Sequence, residues 1–386
     1  MKLACVVQRY GPGVVGGSES HCRAIAGRLA ARHDVTVLTS CATDYLSWKN
    51  TFPEGTSADG PVRVIRFPVE RQRRRPRFSE LNHIVASGRA TAEDERAWFE
   101  ENGPRVPGLL DHLRTQGSSY DRVLFWTYRY FPSYFGVPIV RDRAILVPTA
   151  EEDPAIDLPS LREFFGLPRG YVFLTPEEAD LVRERAGGTL PPSCVIGTGL
   201  DAARPRATAA TSPGGVHAPF VLYLGRVEPH KGCETLLRFF QSFIDREGAR
   251  VQLVLAGPVF MPLPSHPAIV ALGFVDDDTR AALLDSALAL VVPSRYESLC
   301  IALLEGWNHG LPALVNGSCR VLKGQVLRAN GGLFYGSATE FIAGLAELLD
   351  KPETARQIGR QGLDYVERHY RWPAVMHTLE TFLSQT

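Results

Sequence analysis

Residues 291–306 read Val291-Val-Pro-Ser-Arg-Tyr-Glu297-Ser-Leu-Cys-Ile-Ala-Leu-Leu-Glu305-Gly306. The apolar run from Ala287 to Val292 predicts a buried strand, and the stretch from Ile301 to His309 predicts a helix. Two carboxylates eight positions apart therefore span the start of a helix. Glu297 is expected in the loop before the helix, and Glu305 is expected more than one turn inside it.

The loop before this helix is suited to an anion. The backbone N–H groups of Ser298, Leu299 and Cys300 fall near the helix N-terminus, where unpaired donors and the helix dipole favour negative charge. Because like charges repel, Glu297 and Glu305 are expected to accept hydrogen bonds from hydroxyl groups instead of contacting that anion. The alternative interpretation is a solvated loop acid and an exposed helix acid.

A second strand and turn, residues 220–232, supply positive charge. Arg226 and Lys231 flank a glycine-rich turn at the carboxyl end of a predicted strand, where open α/β sheets bind ligands. Only five of the 42 basic residues are lysine, so a lysine at this turn is unlikely to be a compositional accident. A compact ammonium charge suits a diphosphate. The alternative is that both cations solvate a surface turn.

Together these segments resemble glycosyltransferase family 4, and the resemblance covers nearly the whole chain. It implies a retaining enzyme in which Arg226 and Lys231 bind the donor's diphosphate, Glu297 reaches hydroxyls of the transferred sugar and Glu305 reaches the ribose. The family usually has a Gly/Pro-Phe-Gly stretch after the first glutamate, where this chain has residues 298–300. Backbone N–H donors survive that change, so the sugar pocket is the part it puts in doubt.

The resemblance extends to three further positions. Gly16 and Gly17, between a predicted strand at Lys2–Gln8 and a helix, resemble a loop whose backbone approaches the donor phosphates from the opposite domain. Phe274 follows a strand where the family's backbone contacts the nucleotide base. Many members carry a histidine after a first-domain strand, and here Glu151 stands at that position. A carboxylate there can stabilise positive charge or take a proton from the acceptor; the alternative is an acidic capping loop.

The predicted fold class is α/β. Strand-like and helical segments alternate in each half, which is typical of parallel sheets. The resemblance implies two Rossmann-like domains facing across a cleft, the GT-B architecture, with a C-terminal helix crossing back to the first domain. The expected boundaries are an acceptor-binding domain at 1–200, a linker at 201–218, a donor domain at 219–365 and the crossing helix at 366–386.

The amino-acid composition limits which classes of binding partner are expected. The 42 basic residues balance the 42 acidic ones, so nothing favours nucleic acid. No apolar run approaches the length of a membrane span, and Met1 leads into a strand without a signal-peptide pattern. The seven cysteines lack metal-ligand spacing, which favours reduced thiols in a cytoplasm. The basic run from Arg71 to Arg77 is predicted to be a solvated loop, with contact to an acceptor phosphate or an anionic membrane surface as the alternative.

The predicted function is a retaining, metal-independent transfer of a hexose from a nucleotide diphosphate sugar to an acceptor hydroxyl. The acceptor is a saccharide, a lipid or a natural product. No metal ligands and no cofactor are expected, because fixed cations can stabilise the leaving phosphate. The alternatives are a sugar-nucleotide epimerase or a phosphorylase of the same architecture, and a non-catalytic nucleotide-binding protein.

Overall fold

The computed structural model describes residues 1–14, 16–203, 215–217, 219–248 and 250–386. The chain divides into two units. Unit 1 comprises Met1–Thr198 and Val375–Thr386, and unit 2 comprises Gly199–Ala374. Most of the predicted linker, residues 204–214 and 218, lies outside the described residues.

Unit 1 is built on an eight-stranded sheet with the order β3-β4-β2-β1-β5-β6-β7-β8, in which only the β3–β4 pair is antiparallel. Its central strands β1, β2 and β5 are buried at every position after the first residue, as expected for strands in the middle of a parallel sheet that is covered on both faces. The strands are β1 (Lys2–Val6), β2 (Asp34–Ser40), β3 (Gly55–Asp59), β4 (Val62–Phe67), β5 (Arg122–Trp126), β6 (Ala144–Val147), β7 (Gly170–Phe173) and β8 (Ser193–Val195). The helices are α1 (Gly17–Leu29), α2 (Arg75–Ala86), α3 (Ala92–Asn102), α4 (Pro107–Gln116), α5 (Phe131–Gly136), α6 (Pro159–Phe164) and α7 (Pro176–Ala186).

Unit 2 is built on a six-stranded parallel sheet with the order β11-β10-β9-β12-β13-β14. Its strands are β9 (Phe220–Leu224), β10 (Gln252–Ala256), β11 (Ile269–Gly273), β12 (Leu290–Val292), β13 (Ala313–Asn316) and β14 (Gly332–Tyr335). The helices are α8 (Cys233–Glu247), α9 (Asp277–Ser286), α10 (Ile301–Asn308), α11 (Arg320–Ala329), α12 (Ala338–Asp350) and α13 (Pro352–His369). The final helix, α14 (Trp372–Gln385), runs from unit 2 into unit 1.

The strand order of each sheet reverses direction at one place. In unit 2, β10 and β11 extend the sheet on one side of β9, and β12, β13 and β14 extend it on the other side. In unit 1 the same reversal separates β1 from β5. Ligands of open α/β sheets bind at the carboxyl ends of the strands beside such a reversal. The two reversals therefore mark the ligand-binding edge of each unit.

The predicted α/β class and the two parallel sheets are confirmed, but three elements differ from the sequence-based expectation. The exposed strand β3 lacks the apolar alternation that reveals a half-buried strand, so it was not predicted. The 18-residue helix α13 was also not predicted. The segment 366–386, expected to be one helix, contains the end of α13 and all of α14.

The two chain segments that connect the units are bridged within unit 2. The backbone N–H of Leu200 donates to the carbonyl of Tyr370 at 2.6 Å, and Leu200 forms a parallel bridge with Arg371. A Cβ atom on Gly199 would lie only 2.1 Å from the ring of Trp372, so this position has room only for glycine. The outgoing and returning segments are thus packed against each other.

A buried histidine holds the end of unit 1. His21 is 3% exposed; its Nδ1 accepts from Trp126 Nε1 at 3.0 Å, and its Nε2 donates to the carbonyl of Gly197 at 2.9 Å. This pairing requires a neutral ring with its proton on Nε2. Burial lowers the pKa of His21 to about 4, against a smaller opposite effect of the bond to Gly197.

We expect this histidine to make unit 1 acid-sensitive. The unfolded chain takes up the proton near the ordinary pKa of 6.5, whereas the folded protein takes it up only near pH 4. The stabilisation is therefore complete above pH 6.5 and is lost as the pH falls towards 4, by about 3 kcal/mol in total. Denaturant unfolding should show a smaller loss over that range in His21→Gln than in wild type. The exposed His83→Gln is the control, and parallel wild-type and His21→Gln curves would contradict the assignment.

Candidate functional site

The loop after β9 packs directly against the loop after β10. Gly225 has a φ of +145°, and its carbonyl would lie 1.9 Å from a Cβ atom placed on Gly257, so Gly257 has no room for a side chain. The buried hydroxyl of Tyr223 donates to the carbonyl of Arg226 at 2.6 Å. The side chain of Arg226 forms an ion pair with Glu228 at 3.1 Å. Packing and hydrogen bonding thus hold the backbone that carries this cation.

The same loop packs tightly against the loop after β12. A short 3₁₀ turn, Pro229–Lys231, ends at Gly232 with a φ of +76°. A Cβ atom on Gly232 would lie 2.3 Å from the carbonyl oxygen of Pro293. Both the left-handed backbone and the close approach require glycine here. The two loops that flank the strand-order reversal are therefore in direct contact.

This contact brings two predicted site residues together. Lys231 Nζ lies 2.8 Å from Glu297 Oε1, and the two side chains are 25% and 12% exposed. A partly buried ion pair is screened less by salt than a surface pair. A lysine ammonium carries three protons and a carboxylate has two oxygens, so this pair has the chemistry to donate to a phosphate and to accept from a hydroxyl.

The turn between Glu297 and α10 is held in a strained conformation. Cys300 precedes the helix with a φ of +65°, which is uncommon for a residue other than glycine. The fully buried Gln325 on α11 donates from Nε2 to the carbonyl of Leu299 at 2.5 Å. Burial, assisted by Glu297, raises the pKa of the Cys300 thiol well above its usual range, so it stays neutral. Strain of this kind persists only where surrounding structure enforces it, and it concentrates at ligand sites.

Glu305 and Phe274 lie on neighbouring elements of unit 2. Glu305 lies in α10, with Oε1 3.3 Å from Arg280 Nη1 of α9. Burial raises the pKa of Glu305, and the positive charges of Arg280 and His309 oppose that shift. Phe274 directly follows β11 and is 71% exposed, so its ring is available for stacking. Phe274 thus follows the carboxyl end of β11, and Glu305 lies in the helix that follows β12.

The predicted glycines of unit 1 begin α1. Gly16 precedes the helix, and a Cβ atom on it would lie 2.3 Å from the Glu19 carboxylate, whereas a Cβ atom on Gly17 would meet open space. Glu19 is itself buried in an ion pair with Arg9 at 2.5 Å. A side chain at position 16 would therefore have to displace the Glu19 carboxylate from this ion pair, independently of any ligand.

Glu151 lies in the loop after β6, beside a pair of strained threonines. Thr127 and Thr149, which follow β5 and β6, have φ angles of 66° and 47°, and their hydroxyls are 2.9 Å apart. The next residue, Ala150, donates its N–H to the buried carboxyl of Glu178 at 2.6 Å. Glu151 itself is half-buried. The loop that presents Glu151 is thus fixed from both sides.

Sequence reasoning missed the residues that support the site. Glu228, Arg280, Gln325 and Glu178 are polar residues on helices or in loops, and nothing in their sequence context distinguishes them from solvated positions. Within residues 1–14, 16–203, 215–217, 219–248 and 250–386, no cluster of His, Cys, Asp and Glu side chains could hold a metal ion. Over the same described ranges, no helix combines the length and apolar character needed to span a bilayer.

A family model matches part of unit 2. Residues 215–364 match the model described as "Glycosyl transferases group 1". The matched range contains both loops beside the strand-order reversal, together with Lys231, Glu297 and Glu305.

Two curated proteins are similar to this chain in sequence. An uncharacterized glycosyltransferase of Methanocaldococcus jannaschii is 33% identical over 135 residues, which is 32% of this chain and 33% of that protein. A glycogen synthase of Mycobacterium tuberculosis is 26% identical over 412 aligned positions, covering 97% of this chain and 92% of the relative.

A solved structure extends the likeness to the whole chain. The Anabaena protein Alr3699/HepE, crystallised in complex with UDP and glucose, aligns over 100% of both chains with a TM-score of 0.68 and 15% sequence identity. At that identity the likeness shows the fold alone. The chain has the GT-B fold, and the residues that match the family model, 215–364, lie within unit 2.

The contact between the two site loops can be tested with a matched pair of glycines. Gly232 and Gly187 are both left-handed, with φ of 76° and 88° and ψ of 12° and 23°. Only Gly232 closely approaches another backbone, whereas the nearest atoms to Gly187 belong to the flexible end of the Arg162 side chain. Both alanine variants carry a backbone strain of about 1 kcal/mol, and Gly232→Ala must in addition move the Pro293 loop. We expect Gly232→Ala to lose about 2 kcal/mol or more of unfolding free energy in denaturant titrations, and Gly187→Ala about half of that. Equal losses would contradict the close approach.

Proposed function

We propose that the protein is a retaining glycosyltransferase that moves a hexose from a nucleotide diphosphate sugar to an acceptor hydroxyl. The observation that carries the proposal is the ion pair between Lys231 and Glu297 at the strand-order reversal of unit 2, within the residues that match the "Glycosyl transferases group 1" model. One side chain is suited to a phosphate and the other to sugar hydroxyls, and 2.8 Å separates them.

The chemistry starts from the leaving group. Cleavage of the bond between sugar and diphosphate builds negative charge on the departing phosphate. Arg226, Lys231 and the backbone N–H groups of residues 298–300 are proposed to stabilise that charge, because fixed donors in a partly desolvated site need no reorganisation during the reaction. Since these groups supply fixed positive charge, we propose that no metal ion is needed.

The remaining contacts orient the donor. Glu297 is proposed to accept hydrogen bonds from the hexose, and Glu305 from the ribose. The exposed ring of Phe274 is available to the nucleotide base. The presence of UDP and glucose in the structurally similar Anabaena protein supports a uridine donor, with a guanosine donor as the alternative.

Unit 1 is proposed to hold the acceptor. The family resemblance implies that Gly16 and Gly17 approach the donor phosphates, and that the leaving phosphate helps to take the acceptor proton on the same face of the sugar. Glu151 is a second candidate for that proton, because its loop is fixed by Glu178 and by the pair of strained threonines.

The donor assignment can be tested by binding UDP, GDP and the corresponding hexose donors in calorimetry. Lys231→Ala is expected to weaken every nucleotide diphosphate by roughly tenfold or more, the scale of a charge-assisted contact. Glu305→Gln should weaken nucleotide and donor alike. Glu297→Gln should impair the sugar donor and spare the free nucleotide, because only the donor carries the hexose.

The control is Lys323→Ala, a lysine of unit 2 whose ammonium lies over the ring of Phe334. It should bind nucleotides as wild type does. If Glu297→Gln and Glu305→Gln lose free nucleotide equally, the two roles are wrong. In the same assays, transfer should survive a chelator, and NMR should show that the product keeps the donor's anomeric configuration.

The role of Glu151 can be separated from donor binding. We expect Glu151→Gln to lower turnover by roughly 10²-fold, the usual scale for one acid–base group, with unchanged nucleotide affinity. Glu152→Gln, an exposed neighbour, is the control and should turn over as wild type does. Turnover of Glu151→Gln within a fewfold of wild type would leave the departing phosphate as the base.

A further inference from the structure

Three of the five arginines in the basic segment, residues 71–77, form ion pairs with two carboxylates. Glu101, buried in the last turn of α3, accepts from Arg71 at 2.7 Å and from the Arg74 side chain at 3.0 Å. Arg77 pairs with Glu80 at 2.8 Å on α2. These pairs anchor the segment, and contact with an anionic membrane through it stays a prediction.

Arg73 is different. Its Nη2 donates to the backbone carbonyl and to the side-chain oxygen of Asn102, and its guanidinium lies 5.2 Å from the ring centre of Trp48 and 4.1 Å from that of Phe78. In the described part of the chain no carboxylate forms a direct ion pair with it, and its Nε is buried without a hydrogen-bond partner. Burial lowers the pKa of Arg73 to about 10, and the charges of Tyr130, Glu101 and Asp44 oppose that shift, so the group stays protonated at neutral pH. A half-buried cation that carboxylates balance only at a distance can gain stability from an anionic ligand.

This charge lies at the strand-order reversal of unit 1. Asn102 also donates from Nδ2 to the carbonyl of Arg129 at 2.9 Å, and Trp48 meets Tyr130 edge-on at 5.6 Å. Arg129 and Tyr130 follow β5, the strand beside β1 at the reversal. Arg73 therefore belongs to the edge of the sheet where α/β folds bind their ligands.

Tyr130 packs against Trp48, whose ring also faces the Arg73 guanidinium. Burial and the charge of Glu19 raise the pKa of Tyr130, whereas Arg129, Arg73 and Arg9, the arginine cluster of this edge, each lower it. Arg9 is balanced by Glu19 and Arg129 by Asp153, at 2.5 and 2.8 Å. Arg73 leaves the cluster with positive charge that no ion pair balances.

Backbone strain concentrates at the same edge. Among the described residues, five other than glycine have a positive φ, and three of them lie at this edge of unit 1: Trp48, Thr127 and Thr149. The bulky Trp48, at 59°, is the least expected of the three. Such strain is typical of ligand clamps and is independent of the charge argument.

We propose that unit 1 binds an acceptor that carries a phosphate ester, with Arg73 as the group that recognises the phosphate and the Tyr130 hydroxyl as a second contact. This inference rests on the proposed transferase function and names its acceptor class. A phosphate monoester, with a charge of about −1.5 to −2, matches a cluster of several guanidinium groups better than a neutral sugar does. A soluble sugar phosphate and a lipid phosphate headgroup share this chemistry.

The test is calorimetry of the full chain, without nucleotide, using glucose 6-phosphate, inorganic phosphate and glucose as probes. Wild type should bind both phosphates and not glucose, and Arg73→Gln should weaken them by roughly tenfold or more. The matched control, Arg75→Gln, removes an exposed arginine two positions further on and should bind as wild type does. Equal weakening in both variants, or no phosphate binding by wild type, would overturn the proposal.

Two further arms complete the design. Tyr130→Phe keeps the ring and should weaken glucose 6-phosphate by about fivefold, which keeps the test decisive if Arg73→Gln fails to fold. Displacement of glucose 6-phosphate by UDP would assign the cluster to the donor and overturn the acceptor role. Tighter Arg73-dependent binding to vesicles that contain phosphatidic acid, a lipid phosphate monoester, than to the soluble phosphates would assign the site to the lipid source. Because nucleotide is absent, the result stands apart from failure of the donor assignment in unit 2.

Discussion

The site in unit 2 depends on the close approach of two loops at the strand-order reversal. Gly232 lies so near the carbonyl of Pro293 that no side chain fits between them. This contact lets Lys231, which follows β9, reach Glu297, which follows β12, although 66 positions separate them in the chain. Without it, a cation and a carboxylate would occupy neighbouring but independent loops. The pairing of the Lys231 ammonium with the Glu297 carboxylate thus follows from backbone packing.

The surrounding polar residues keep this arrangement from relaxing. The left-handed Cys300 is tied down through Gln325 and the carbonyl of Leu299, and Glu305 is held by Arg280. A buried glutamine is costly unless it is hydrogen-bonded, so its presence under a turn indicates that the turn itself matters. Pre-set donors of this kind can stabilise developing charge without a reorganisation cost.

The two units use one topological principle with different chemistry. In unit 2 the reversal between β9 and β12 places cations and carboxylates in contact, which suits a ligand with both phosphate and hydroxyl groups. In unit 1 the reversal between β1 and β5 is surrounded by Arg9, Arg73 and Arg129, with charge that is only partly balanced. These charges favour the proposed arrangement, in which unit 2 binds the donor and unit 1 binds an anionic acceptor.

The sequence by itself determined the α/β class, most strand positions and the two motifs of unit 2, at residues 220–232 and 291–306. These are local properties: apolar runs, glycine turns and a lysine that is rare in this composition all lie within short windows. Tertiary structure alone decided which side chains are partners. The ion pair between Lys231 and Glu297 depends on distances across the fold. So does the contrast between Arg73, which has no direct ion pair in the described part of the chain, and Arg9 and Arg129, which do. No spacing along the chain records such distances, because burial and charge balance are set by neighbours that lie far apart in sequence.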